Sequence, residues 1–232
     1  MLRIHDKNGN FISPAEAIPI LEESGLIIPV GKWIIQNAFS MCTECRKYYP
    51  EFRVSINLSY VQILKSPLMM ELKQIIDHSG ISCSGIIVEL TESGYLEGTP
   101  AVRSVWNDMK QLRIQIALDD FGTGYSNLMN ISNLEPDIVK LDRGFTLKAL
   151  SRSYEYQLMQ YVIEMVHKLN QYVCVEGVET KEDLEKIKAL GPDLIQGYYY
   201  SKPCSRDEFL KKFFDYSESV SYTHLTLPTK LE

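Results

Sequence analysis

A parallel α/β barrel is the fold class this sequence predicts, on three observations. Strand-like and helix-like segments alternate along the 232 residues, as they do in chains built from βαβ units. Strands such as Gly-Ile-Ile-Val-Glu-Leu at 85–90 are continuously apolar, which suits a sheet covered by helices on both faces. Six successive strands also end in an acid, an amide or a lysine, and in a parallel barrel those ends converge on one face.

Ser13-Pro14-Ala15-Glu16 reads as a helix start with proline at the first helical position, opening a helix towards Ser24 and Gly25. An amphipathic helix follows over about 29–48, then a strand at 53–58 and a helix over 67–79. The strand 86–90 precedes a helix over 100–112, and Ile114 to Leu118 form the next strand. A short helix near 126–131 leads to the strand 138–141, and a long helix over 154–170 to the strand 172–175. Thr180, with Asp183 three residues on, caps a helix running to Leu190; the strand 194–198 and a helix over 207–216 close the pattern. A closed barrel requires about eight strands, and the deficit falls at the N-terminal end. No linker rich in Pro, Gly or Ser divides the chain, which predicts one domain.

Composition narrows the function classes. With 45% hydrophobic and 23% charged residues the chain is globular. Its net charge of −6 argues against binding a nucleic-acid polymer, which needs a basic face. No apolar run approaches the roughly 18 residues of a membrane span, and no signal peptide is legible at Met1. Five scattered cysteines (Cys42, Cys45, Cys83, Cys174 and Cys204) suit free thiols in a reducing cytoplasm. Cys42 and Cys45 form a CxxC, but no second pair completes a metal site and the segment reads as a helix face.

The chemistry lies at the strand ends. The third-strand position of a barrel ends at Asn57, the next carries Glu89 and Glu92, and Asp119 and Asp120 follow in Asp-Asp-Phe-Gly-Thr-Gly. Then come Lys140 and Asp142, Glu176 and Glu179, and Gln196. Taken singly, an acid at a strand end is a cap or a turn residue. Glu89, Lys140 and Glu176 resist that reading, because each sits within or directly after an apolar run where a charge needs a partner. Two adjacent carboxylates such as Asp119 and Asp120 repel each other unless a cation neutralises them. Oxygen ligands without a histidine cluster favour Mg²⁺ or Mn²⁺ over zinc. Several carboxylates and an amide around one cleft suffice for two such ions about 3.5–4 Å apart, the arrangement that clamps attacking and leaving oxygens in phosphoryl transfer. A lysine there stabilises charge, or deprotonates water where neighbours lower its pKa. These readings point to a metal-dependent phosphodiesterase.

Together, Ser-Ile-Asn-Leu-Ser, Val-Glu-Leu-Thr-Glu-Ser, the segment from Asp119 to Leu128, Val-Lys-Leu-Asp-Arg-Gly-Phe, Val-Glu-Gly-Val-Glu-Thr and Gln-Gly-Tyr-Tyr-Tyr-Ser-Lys-Pro resemble the EAL-domain family of cyclic di-GMP phosphodiesterases, from about Leu2 to Phe214. The resemblance implies a TIM-like (β/α)8 barrel with one antiparallel strand, here missing its first strand and most of its second. It implies hydrolysis of cyclic di-GMP to linear pGpG with Mg²⁺ or Mn²⁺, two ions being bound. On matching positions Asn57, Glu89, Asp119 and Glu176 correspond to metal ligands, with Asp120 serving the second ion. Lys140 corresponds to the catalytic lysine, working with Asp119 and Glu176, while Arg3, Gln196 and Asp142 correspond to substrate-binding residues. Glu92 would support the loop that in the family couples metal binding to dimerisation. The implied partners are cyclic di-GMP, a second copy of the chain, and a sensory or diguanylate cyclase domain upstream in a parent protein.

Met1-Leu2-Arg3 aligns just after the family's name-giving Glu-Ala, so the metal-binding glutamate is expected to precede Met1. The family domain is expected to occupy 1–216. Residues 217–232, including Val-Ser-Tyr-Thr-His-Leu-Thr-Leu-Pro-Thr, read as a non-family tail resembling a translated sequencing adapter. A fragment with these ends is expected to have impaired activity. The alternatives are a degenerate module that binds cyclic di-GMP without hydrolysing it, or an unrelated metal-dependent barrel enzyme; the filled downstream ligand positions favour an active parent.

Overall fold

The computed structural model describes residues 4–79, 82–91, 99–123 and 135–214. A short antiparallel hairpin pairs β1 (Ile4–His5) with β2 (Phe11–Ile12). Its turn is closed by Asp6, whose Oδ1 accepts from the Asn8 and Asn10 amides at 2.8 Å each. The main sheet has six strands in chain order: β3 (Val54–Asn57), β4 (Ile86–Thr91), β5 (Gln115–Phe121), β6 (Ile138–Leu141), β7 (Tyr172–Glu176) and β8 (Leu194–Gln196). The pairs β5–β6, β6–β7 and β7–β8 are parallel. Strictly sequential order is the order of a (β/α) barrel, and the six strands coincide with the six expected from the sequence to within a few residues. Among the described residues no helix is long and apolar enough to cross a membrane.

The chain divides into two units. The first, Met1–Val88 with Glu97–Ile114, carries α1 (Pro14–Glu23), α2 (Ile27–Cys45), α3 (Tyr60–Lys65), α4 (Leu68–Ser79) and α5 (Pro100–Gln111). Its core is formed by Ile35, Phe39, Leu72, Trp106 and Met109. Cys42 and Cys45 are buried on one face of α2, as the helix-face reading expects.

The second unit, Glu89–Leu96 with Gln115–Glu232, carries α6 (Arg143–Ser151), α7 (Ser153–Lys168), α8 (Lys181–Lys188) and α9 (Arg206–Phe214). Met159, Ile163 and Val166 of α7 are buried at i, i+4 and i+7, the spacing of a single helix face. Leu118, Leu141, Val173 and Val175 are buried on the strands of this unit. At α8 the box expected from Thr180 is present, with the Asp183 amide donating to Thr180 Oγ1 at 3.1 Å and the Thr180 amide to Asp183 Oδ2 at 3.0 Å.

Three differences from the sequence reading have physical causes. β5 does not stop at Leu118 but runs to Phe121, so Asp119 and Asp120 belong to the strand. The register slips between Leu118 and Phe121, and Asp120 takes a left-handed φ of 60°; a bulge of this kind re-aims side chains at a strand end. Helix α6 is hidden in the sequence by Gly144 and is separated from α7 by Arg152 in an extended conformation. The hairpin β1–β2 and the six-residue α3 are too short to leave a periodic pattern. The short helix expected near 126–131 lies outside the described residues.

Candidate functional site

Lys140 occupies the third position of a strand in which all four residues are buried. An unpaired ammonium there would be costly, and three carboxylates meet it. Its Nζ lies 2.9 Å from Glu89 Oε1, 2.9 Å from Asp119 Oδ1 and 2.6 Å from Glu176 Oε1. The side chains are 6% exposed for Lys140 and 8%, 12% and 19% for the three acids, so these ion pairs are shielded from water. β4, β5 and β7 each deliver one acid at or near the C-terminal end, and β6 delivers the lysine. The strand-end convergence expected from the sequence is therefore realised for Glu89, Asp119, Lys140 and Glu176.

Three carboxylates against one ammonium leave two negative charges in excess when all are ionised. Burial opposes the charge on Lys140, but Glu89, Asp119 and Glu176 outweigh it and raise its pKa above the ordinary lysine value. Lys140 therefore keeps its proton at physiological pH. In the metal-free site the neighbours raise rather than lower the Lys140 pKa, so there Lys140 is a cation and not a free amine. Burial raises the Glu176 carboxyl, which Lys140 partly offsets and Asp119 and Glu89 reinforce. Asp120, exposed at the bulge, is also raised, by local desolvation and then by Asp119 and Asp142. Cys174, paired in register with Lys140, is pushed up to about 12 by burial and stays a thiol.

Among the described residues no group of three or more His, Cys, Asp or Glu side chains is arranged to hold a metal ion. The geometry supplies the reason, since the acids turn onto Lys140 Nζ. The donor chemistry nonetheless fits a hard divalent ion: the donors are carboxylate oxygens, and their excess charge is two. Glu89, Asp119 and Glu176 are the groups that would hold such an ion, with Asp120 adjacent.

The remaining expected residues divide. Gln196 ends β8 opposite Glu176 in register, with its side chain exposed. Asp142 caps α6, its Oδ1 accepting from the Gly144 amide at 2.7 Å. Asn57 ends β3 and is exposed; it belongs to the first unit. Arg3 and Glu92 lie outside the described residues. The residue that sequence reasoning missed is Arg143. It binds Glu179 through Nε at 3.2 Å and through its terminal nitrogen at 2.8 Å, both to Oε1. The available signal was spacing, because Arg143 follows Lys140 by three residues as Glu179 follows Glu176.

A sequential parallel sheet with an acid-clasped lysine at its strand ends defines the class, and the family is now evident. The EAL domain pattern matches residues 1–203, and the chain belongs to that family. It is 31% identical over 203 residues to the cyclic di-GMP phosphodiesterase PdeF of Escherichia coli strain K12, covering 88% of this chain and 27% of that protein. The chain thus spans about a quarter of the length of that curated relative. Among solved structures, the EAL enzyme Bd1971 with cAMP and cyclic di-GMP bound superposes with a TM-score of 0.85 at 29% identity, covering 90% of this chain and 58% of that one. The PaMucR phosphodiesterase in complex with cyclic di-GMP superposes with a TM-score of 0.81 at 27% identity, covering 90% and 85%.

Proposed function

We propose that this chain is a phosphodiesterase domain that opens cyclic di-GMP to linear pGpG with Mg²⁺ or Mn²⁺. The observation that carries the reading is the buried Lys140 held by Glu89, Asp119 and Glu176, in a family whose curated relatives include cyclic di-GMP phosphodiesterases. Asn57, Glu89, Asp119 and Glu176 would hold one ion and Asp120 would serve a second. When bound, the ions supply charge neutralisation and a more acidic water. Water adds to phosphorus and one phosphodiester P–O bond breaks, so the ring opens with no other reactant.

The chain's own residues prepare that step. Lys140 fixes three carboxylates in place and, as a cation whose three N–H groups those acids occupy, adds positive charge beside developing negative charge on oxygen. Gln196, Asp142 and Arg3 would orient the dinucleotide, and Glu92 would brace the Asp-Phe-Gly-Thr-Gly-Tyr-Ser segment that begins at Asp120. In its parent the domain would act in the cytoplasm, as a homodimer and downstream of a sensory or diguanylate cyclase segment; five free cysteines are consistent with a reducing compartment.

Chromatographic conversion of cyclic di-GMP to pGpG with Mn²⁺ tests the reading, on this chain and on a form extended upstream through the Glu-Ala-Leu strand. Turnover abolished by EDTA in the extended form is the expected result. Binding without turnover in the folded, extended form would replace the enzyme by a receptor module, and neither binding nor turnover would overturn both.

A further inference from the structure

We propose that Arg143 is a positioning residue: it clasps the segment after β7 and thereby sets Glu176 against Lys140. The proposal rests on the reading above, in which Glu176 and Lys140 serve hydrolysis.

Two ion pairs join the ends of β6 and β7, and each member of the outer pair lies three residues beyond its counterpart in the inner one. Lys140 meets Glu176 at 2.6 Å and Arg143 meets Glu179 at 2.8 Å. The outer pair alone would be a weak device, since its side chains are 57% and 38% exposed and exposed pairs hold little. What makes it a clasp is the backbone beneath it. Gly177 has a φ of +80°, and a Cβ there would lie 2.9 Å from Arg143 Cβ and 3.1 Å from its Cα, with Cγ closer still. The arginine stem therefore fills the space over the residue that directly follows Glu176.

The other side of the same segment is closed as well. A Cβ on Gly197 would collide with the Val178 backbone. The Val178 amide donates to the Gln196 carbonyl at 3.3 Å, and the Tyr199 amide donates to the Val178 carbonyl at 3.0 Å. Residues 177–179 are thus held between the start of α6 and the end of β8. Removing the arginine opens one wall of that slot, and the displacement falls on the neighbouring carboxylate. A shift of about 1 Å at a reacting group can cost about 100-fold in rate, so a surface arginine matters here through geometry.

The test uses the 232-residue chain and its Arg143→Ala, Arg143→Lys and Glu179→Gln variants, with steady-state kinetics on cyclic di-GMP and hydrogen exchange at the Val178 amide. For Arg143→Ala we expect kcat to fall about 10-fold or more with KM changed less than about twofold, and Val178 to exchange faster. Arg143→Lys, which keeps the stem over Gly177, should recover much of both. An active wild type whose Arg143→Ala variant keeps its kcat overturns the proposal. So does a rise in KM alone, which would make Arg143 or Glu179 a substrate contact. Where the wild-type chain shows no turnover, the same variants are measured in the form extended upstream, and no turnover there shows the failure of the hydrolysis reading; the Val178 exchange then decides the clasp by itself, and unchanged exchange removes it.

Discussion

Glu176 Oε1 sits 2.6 Å from Lys140 Nζ across adjacent parallel strands, the shortest of the three carboxylate contacts that the lysine makes. Lys140 is in register with Cys174, two residues before Glu176, so the two charged groups rise from one face of neighbouring strands. A cation with three carboxylates around it is hard to delete. Lys140→Met removes the ammonium that Glu89, Asp119 and Glu176 share, and breaking buried pairs in this way costs about 3–5 kcal/mol. Urea denaturation of the metal-free protein should show that loss, and Mn²⁺ should restore more stability to the variant than to the wild type.

The pH dependence of the metal-free chain follows from the raised acids. Glu176 is raised above 4.5 and Asp120 above 3.8. A carboxyl that holds its proton more tightly when folded contributes stability that is full below its unfolded pKa and is lost as pH rises through its folded value. Lys140 stays charged throughout this window and adds no slope. The contribution of these two groups should therefore fall as pH climbs above about 4.5. Asp120→Asn, which tolerates the left-handed φ at that position, should flatten the dependence and weaken Mn²⁺ binding. Urea midpoints measured at a series of pH values with chelator check this, and an unchanged slope in both Asp120→Asn and Glu176→Gln would refute it.

Much of this was legible in the sequence, for reasons that particular residues make clear. Glu89, Lys140 and Glu176 stood out because each interrupts or ends an apolar run, where a charge has to be answered. The strands were visible from the same runs. The bulge at Asp120 was not, because its cause is a register slip against β6 rather than any local preference. Nor was the Arg143 clasp, since it depends on Gly177 passing beneath a side chain that lies 34 positions earlier in the chain. Helix α6 was obscured by Gly144, whose amide is satisfied by Asp142, a capping bond that lets the helix begin beside a poor helix former.

Two Pro-Asp pairs set the starts of parallel strands. Asp137 Oδ2 accepts from the Ile116 amide at 2.8 Å, tying the entrance of β6 to β5. Asp193 Oδ2 accepts from the Val173 amide at 2.9 Å and from His167 Nε2 at 2.8 Å, tying the entrance of β8 to β7. A hydrogen bond to a charged acceptor contributes about 1.5–3 kcal/mol, so Asp137→Ala and Asp193→Ala should each lose roughly that much. Asn at either position keeps an acceptor and should lose less. Hydrogen exchange at Ile116 and Val173 provides the direct readout, and protection that survives the Ala variants would count against the role.

Ser59 ties the end of β3 to the helix that precedes it by more than 30 residues. Its Oγ donates to Glu22 Oε1 at 2.6 Å and accepts from the Val61 amide at 3.1 Å, while its own amide donates to Gln62 Oε1 at 3.2 Å. Gln62 is in turn buried against Gly31 of α2, where a Cβ would collide with it. Ser59→Ala removes the cap of α3, for which about 1–2 kcal/mol is the expected cost, and leaves Glu22 without that donor. Asn57 lies two residues upstream, so the same substitution should loosen a proposed metal ligand as well. The expected outcome is a lower urea midpoint together with weaker Mn²⁺ binding by calorimetry. Ser59→Thr keeps the hydroxyl and should restore both; weaker stability with unaltered Mn²⁺ binding would detach Asn57 from the metal.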